Sequence, residues 1–257
     1  MRFSFTCTSK REIDVIYSFK DLFINNIFQG IEIFYPYNLD QEGYNNYTKA
    51  ISDITDKQNI EIVLHLPHGG IDNDLIRCGD VIKRFYKAID YGKMFNVKKY
   101  TLHLGSTLNL GQKEYLEKAT SVLDKLCSYA YPSIIMIENM PSDKEIGSTK
   151  YELDYLLKRV NKENLGLIYD TGHGHVKMND NKKERNFINH FHDYIYHFHI
   201  NDNLGLTDSH SPIGAGNIDF KNLFMNYNYN HLICLEILYK TKEDLIKYKE
   251  EFLKALL

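Results

Sequence analysis

LGLIYDTGHGH, residues 165–175, joins an apolar run to groups that can bind a metal. In LGLIYD (165–170), Leu165 and Leu167 share one face of an extended chain, and Asp170 falls on the other face at the last position. Thr171-Gly172-His173 follows at once, so a carboxylate and an imidazole meet at one strand end. A strand that is apolar until its final residue belongs in a sheet covered on both faces, with its chemistry at one rim.

The same design recurs along the chain. RFSFT (2–6), GIEIF (30–34), EIVLH (61–65), YTLHL (100–104), IIMIE (134–138), IYHFH (195–199) and LICLEI (232–237) complete a set of eight strand candidates. They are spaced at about 30 residues, the length of a βα unit. Segments 78–95 and 241–256 between and after them repeat apolar residues every three or four positions. Ser9 with Glu12 and Thr149 with Glu152 have capping-box spacing, and Asp219 and Thr241 can cap the helices that follow. Without a linker or charge block, residues 1–257 read as one domain, a (β/α)8 TIM barrel; an open doubly wound sheet is the alternative.

Strand parity favours the barrel. Leu102 and Leu104, Ile135 and Ile137, and Ile233, Leu235 and Ile237 form aliphatic faces for a surrounding helix layer. The opposite parity ends in His65, His103, Glu138, Asp170, His199 and Glu236, so one rim collects a ring of ionisable groups. His68 is an alternative to His65, and His173, Asp208 and His210 lie in the loops that follow the strands. A lone histidine near an apolar strand is ordinarily a hydrogen-bonded structural residue, and His175, His190, His192, His197 and His231 are read so. A convergent ring is different, because burying many charges without compensation costs several kcal/mol for each (roughly) and clustered carboxylates repel. Bound cations relieve both penalties. Mixed imidazole and carboxylate ligands suit zinc, manganese or iron better than calcium.

Composition narrows the setting. The chain is 43% hydrophobic and 25% charged, ordinary for a globular protein, with no apolar run near the roughly 18 residues of a membrane span. MRFSFTCTSK lacks the apolar core of a signal peptide, so a cytoplasmic location is expected. Cys7, Cys78, Cys127 and Cys234 have no CxxC spacing and read as free thiols. A net charge of −3 argues mildly against a polyanion partner without excluding one. The GAGN run at 214–217 is a turn rather than a dinucleotide motif, and no nucleophile elbow is present.

Taken in order, GIEIF, HLP, LHLGS, IENMP, YDTGHGH, HFHINDN, DSHSPIGAGNIDF and Glu236 resemble the xylose isomerase-like TIM barrels over nearly the whole chain. That superfamily holds sugar phosphate isomerases and epimerases as well as endonuclease IV (the AP endonuclease 2 family). For the isomerase branch the resemblance implies one divalent metal on Glu138, Asp170, His199 and Glu236. Glu138 and Glu236 then act as base and acid beside a metal-chelated carbonyl and hydroxyl, and His173 orients substrate oxygens. For the endonuclease IV branch it implies three zinc ions on those four plus His65 (or His68), His103, His173, Asp208 and His210.

The two inventories pull apart. Every ligand position of the multinuclear branch is filled, yet the loop YPYNLDQEGYNN after strand two has no arginine or lysine. The tyrosine that normally follows the strand-three histidine is replaced by His68 or Gly70. Lys177, Lys182, Lys183 and Arg185 form the one local basic cluster, read as solvated lysines or as a phosphate-holding mouth. The expected function is therefore a sugar or sugar-phosphate isomerase/epimerase using zinc or manganese, with His68, Glu32, Lys177 and Arg185 touching the small-molecule substrate. The alternatives are an endonuclease IV-like zinc phosphodiesterase acting on abasic DNA and a non-catalytic metal-binding barrel.

Overall fold

The computed structural model describes residues 1–7, 17–55, 59–77, 80–225 and 229–257. The capping pattern at Ser9–Glu12 and Cys78 lie outside these residues. Eight parallel strands close into a barrel in chain order: β1 (Arg2–Cys7), β2 (Gly30–Phe34), β3 (Glu61–His65), β4 (Lys99–Leu102), β5 (Ile134–Glu138), β6 (Leu165–Asp170), β7 (Ile195–Ile200) and β8 (Leu232–Leu235). The helices are α1 (Lys20–Ile24), α2 (Gln41–Thr55), α3 (Val81–Met94), α4 (Gln112–Ala130), α5 (Lys150–Val160), α6 (Thr171–Met178), α7 (Asn181–His190), α8 (Phe220–Leu223) and α9 (Lys242–Ala255). This is the expected (β/α)8 barrel. Among the described residues no helix is long and apolar enough to cross a membrane.

The two parities separate as the sequence predicts. Ile62, Leu64, Leu102, Ile135, Ile137, Leu167 and Leu235 join a large apolar layer between barrel and helices. Burying each such side chain contributes about 1.5–3 kcal/mol. The inward parity makes a small plug of Val63, Met136, Ile168 and Leu232, and above it the barrel turns polar. Register then lines up the rim, pairing Thr6 with Glu32, His65 with Thr101 and Asp170 with His199.

Two strands end earlier than their apolar alternation does. Beyond Leu102 the chain turns at Gly105, whose φ is +105°, so His103 and buried Leu104 follow the strand pattern without a ladder partner. Past β8, the Glu236 N–H still donates to the Ile200 carbonyl (3.0 Å), but the Leu238 N–H donates to His210 in the neighbouring loop (3.0 Å). Side-chain alternation thus outlasts the backbone pairing at the rim.

Thr149, Asp219 and Thr241 cap α5, α8 and α9. Around α5 the capping box is complete, and Glu152 also accepts from the Tyr115 hydroxyl and the Gly147 N–H. Thr149→Ala should therefore lower stability by about 1 kcal/mol, seen as a lower urea midpoint with an unchanged denaturant slope.

Candidate metal centre

The rim residues are delivered by short local devices. Asp170 ends β6 and caps α6, its Oδ1 accepting from the His173 N–H at 2.6 Å, which sets acid and imidazole side by side. Asn139 brackets the same point, accepting from the Asp170 N–H (2.7 Å) and donating to its carbonyl (3.1 Å). Asn201 donates to Asp170 Oδ2 at 2.9 Å. Gly172 makes room for it, since a Cβ there would lie 1.9 Å from Asn201 Oδ1. After β7, Asp202 and Ser211 form an isolated antiparallel bridge. The Asp202 carboxylate accepts from Gly214, Gly216 and Ile218 N–H groups, and this folded turn returns Asp208 and His210 to the end of β7.

Among the described residues four groups have their potential ligand atoms within 4.8 Å of one another: Glu32, His197, His199 and Cys234 lie fully buried beneath the rim, and the other three lie on it. Of the rim groups, the first is His65, His68 and His103; the second is Glu138, Asp170, His199 and Glu236; the third is Asp170, His173 and Asp208. His210 joins the third, its Nε2 lying 2.9 Å from Asp208 Oδ2. Glu138 connects the first two: its Oε2 lies 2.8 Å from His103 and 3.8 Å from His65, while its Oε1 lies 3.3 Å from His199 Nδ1. Asp170 belongs to both the second and the third.

Each histidine is aimed by its other nitrogen or its ring face. His65 has Nδ1 on the Leu66 carbonyl (2.9 Å) and stacks on Phe34. His173 Nδ1 faces the Asn139 carbonyl at 2.9 Å and His210 Nδ1 the Glu236 carbonyl at 3.0 Å. His199 Nε2 rests on Glu32 at 2.8 Å, which leaves Nδ1 for Glu236 at 2.7 Å. Carboxylates and carbonyls behind imidazoles fix their tautomer and orientation.

The electrostatics are those of mutually compensating buried charges. Burial would push His199 down, but Glu236, Glu32 and Glu138 hold it well above the usual imidazole range. His173 is likewise raised against its burial by Asp170 and Asp208. Burial also opposes ionisation of Glu138, yet His199 and His103 hold it well below the usual carboxylate range. Burial lifts Asp170 to about 6, with His173 acting against it. His68 is pushed down by burial and by His65 and His103. The donor set fits divalent cations: His68 Nδ1 and Asp208 Oδ1, in the two outer groups, are buried and have no hydrogen-bond partner. Orphaned donors of this kind are costly unless a ligand completes them.

The residues expected at the rim therefore come together, and His65 and His68 both stand in the same group. The expected substrate contacts separate. Glu32 is fully buried under the ring, taken up by Thr101 (2.7 Å), His197 (3.0 Å) and His199 (2.8 Å), so it supports the ring and does not reach the mouth. Lys177 pairs with Asp143 on a separate groove beside α6, and Arg185 donates to Asn222 (2.9 Å). The histidines read as structural include His197, held by Leu232 and Glu32, and His175, held by Glu184 and Asn217. Asn139, Asn201 and Asp202 were not singled out from the sequence; their signal lay inside IENMP and HINDN, where Glu138 and His199 alone stood out as ligand types.

Fold and rim together define a parallel barrel whose ionisable residues gather at the C-terminal strand ends. The chain belongs to the xylose isomerase-like TIM barrel family, whose profile matches residues 26–256. A probable endonuclease 4 of Mycoplasmoides gallisepticum is 34% identical over 179 residues, which is 62% of this chain and 58% of that protein's length. The structure of a D-tagatose 3-epimerase-like protein superposes with a TM-score of 0.77 at 24% identity, covering 100% of this chain and 98% of that one. The IolI protein, solved with a binding zinc atom, gives a TM-score of 0.75 at 16% identity, covering 100% of this chain and 98% of that one. Solved structures of this fold also include D-allulose and L-ribulose 3-epimerases.

Two outcomes are expected for metal binding. Glu32→Gln removes the charge behind His199 and should weaken divalent-ion affinity on the order of 10- to 100-fold, measured by competition with a chromophoric chelator. A metal needs neutral imidazole, and His173 and His199 hold protons to higher pH than usual. Loading should therefore release protons and tighten from pH 6 to pH 8, read by calorimetry in buffers of different ionisation enthalpy.

Proposed function

We propose that the chain, acting as one barrel domain over residues 1–257, is a multinuclear metal-dependent phosphoester hydrolase, with abasic-site DNA as the first substrate to test. The carrying observation is that Glu138 and Asp170 link three ligand groups into one array. A single-metal site needs only the central four residues and leaves His68 Nδ1 and Asp208 Oδ1 buried without a use. Zinc or manganese ions, one to each group, would supply charge neutralisation on a phosphate and its leaving oxygen and acidify a water. The protein's part is to hold His65, His68 and His103 on one side and His173, Asp208 and His210 on the other, with Glu138 and Asp170 between. The similarity to a probable endonuclease 4 agrees with this reading.

A second reading is supported by the central quartet. Glu138, Asp170, His199 and Glu236 suffice for one metal, and neighbours of the same fold are named as sugar epimerases. There Glu138 and Glu236 would move a proton at a carbon next to a chelated carbonyl, with His173 orienting substrate oxygens.

Metal analysis of the purified protein, followed by incubation with a duplex containing one abasic site, separates the two. The hydrolase reading expects two or three ions per chain (about), nicking, and loss of nicking with a chelator. One ion per chain, no nicking, and exchange of a ketohexose C–H proton with solvent would establish the epimerase instead. His68→Ala and Asp208→Asn should each remove about one ion per chain and most of the nicking. Glu236→Gln should abolish turnover under either reading while the circular dichroism spectrum stays unchanged.

A further inference from the structure

The loop after β3 is unlike the rest of the rim. Gly69 and Gly70 follow His68 at φ +70° and +69°, a left-handed backbone that favours glycine. Nothing lies within 4 Å of where either Cβ would stand. Among the described residues, neither glycine N–H has a hydrogen-bond acceptor. Both glycines line a cavity of about 470 Å³ that also contains His68 and His103 of the first ligand group.

Arg77 lines the same cavity. Its Nε lies 3.5 Å from Asp74 Oδ2, a carboxylate already held by the Ser106 hydroxyl (2.6 Å), the Ser106 N–H (3.2 Å) and the Ile76 N–H (3.0 Å). That contact anchors the guanidinium at its base, and its terminal amines have no acceptor among the described residues. Asn73 stiffens the loop, donating to the His68 and Gly69 carbonyls (both 3.0 Å) and accepting from Arg84 at 2.6 Å. No other cavity described here brings a cation together with ring histidines.

We infer that Gly69, Gly70 and Arg77 form an anion subsite for a non-reacting phosphate of the substrate, next to the phosphate that is cleaved at the ring. Exposed backbone N–H groups and a guanidinium are the donors that phosphate oxygens take, and glycine lets the oxygen approach the backbone. Asp74 and Glu145 also line the cavity and repel added negative charge, which favours a singly charged phosphodiester over a dianion. The subsite deepens the phosphoester reading and rests on it for the identity of the neighbouring phosphate. It also places on the β3 loop a phosphate grip that the β2 loop, with no lysine or arginine, lacks.

The test uses two probes with the same p-nitrophenyl leaving group: thymidine 5′-(p-nitrophenyl phosphate), and that compound carrying a 3′-methyl phosphate diester. The metal-loaded protein should show a KM about tenfold lower for the second probe. Arg77→Gln should erase that preference with kcat within about twofold and metal content unchanged, whereas Lys118→Gln on exposed α4 should leave it intact. Calorimetric binding of both probes is measured alongside. Cleavage without the preference, or an equal loss for both probes in Arg77→Gln, overturns the subsite and leaves the hydrolase reading standing. A binding preference that depends on Arg77, without cleavage of either probe or of the abasic-site duplex, rejects the hydrolase reading and retains the subsite.

Discussion

The hydrogen bond between His199 Nε2 and Glu32 is the constraint on which the rim depends. Both groups are fully buried, and an uncompensated carboxylate or imidazolium there would cost several kcal/mol (roughly). Glu32 is held from two further sides by Thr101 and His197, and His197 is held in turn by the Leu232 carbonyl. This polar layer sits above the apolar plug of Val63, Met136, Ile168 and Leu232 and turns His199 Nδ1 toward the mouth. With His199 directed that way, Glu138, Asp170 and Glu236 are drawn round it from three other strand ends.

Much of this geometry was legible because strand parity is a strict rule and barrel rims are built from it. GIEIF, EIVLH, IIMIE and LGLIYD coincide residue for residue with β2, β3, β5 and β6, and the polar residue on the inward parity of each reaches the barrel interior or its rim. What parity cannot convey is depth. Glu32 shares its inward parity with Glu138, but it stands mid-strand while Glu138 ends its strand, so one lies beneath the ring and the other within it. Uncharged positioning groups were equally hidden. Asn139, Asn201 and Asn73 look like loop residues until their partners across the rim are known. The Asp202–Ser211 bridge, which decides where Asp208 and His210 end up, joins residues with no periodic signature.

The choice between one metal and several turns on how the outer groups are attached. His65 and His103 meet the centre at Glu138, while His173 meets it at both Asp170 and Glu138, and His210 at the Glu236 carbonyl. A carboxylate shared between two groups cannot serve either one independently. Charge placed on one side withdraws electron density from the shared oxygens, whereas neutralising the outer histidines and Asp208 frees those oxygens to ligate inward. An epimerase that used the central quartet alone would gain nothing from this connection and would carry the desolvation cost of two additional polar groups. The array is economical only when the outer groups are themselves used, which is the physical reason the multinuclear reading is preferred although neighbours of known structure carry epimerase names.

The β3 loop then follows from the same demand. A ring dense in carboxylates repels a phosphate until cations neutralise it, so a substrate with more than one phosphate needs a second point of attachment outside the ring. Phe34 packs against His65 and Asn73 holds the His68 backbone, so the loop is rigid where it leaves the first ligand group. It opens to bare backbone only at Gly69 and Gly70, between that group and Arg77. Side chains at those two positions would be strained by the positive φ and would cover the N–H groups. Glycine at both places, immediately after a histidine of the rim, is what a barrel needs if the phosphate is to be gripped by main chain and one arginine rather than by a basic loop.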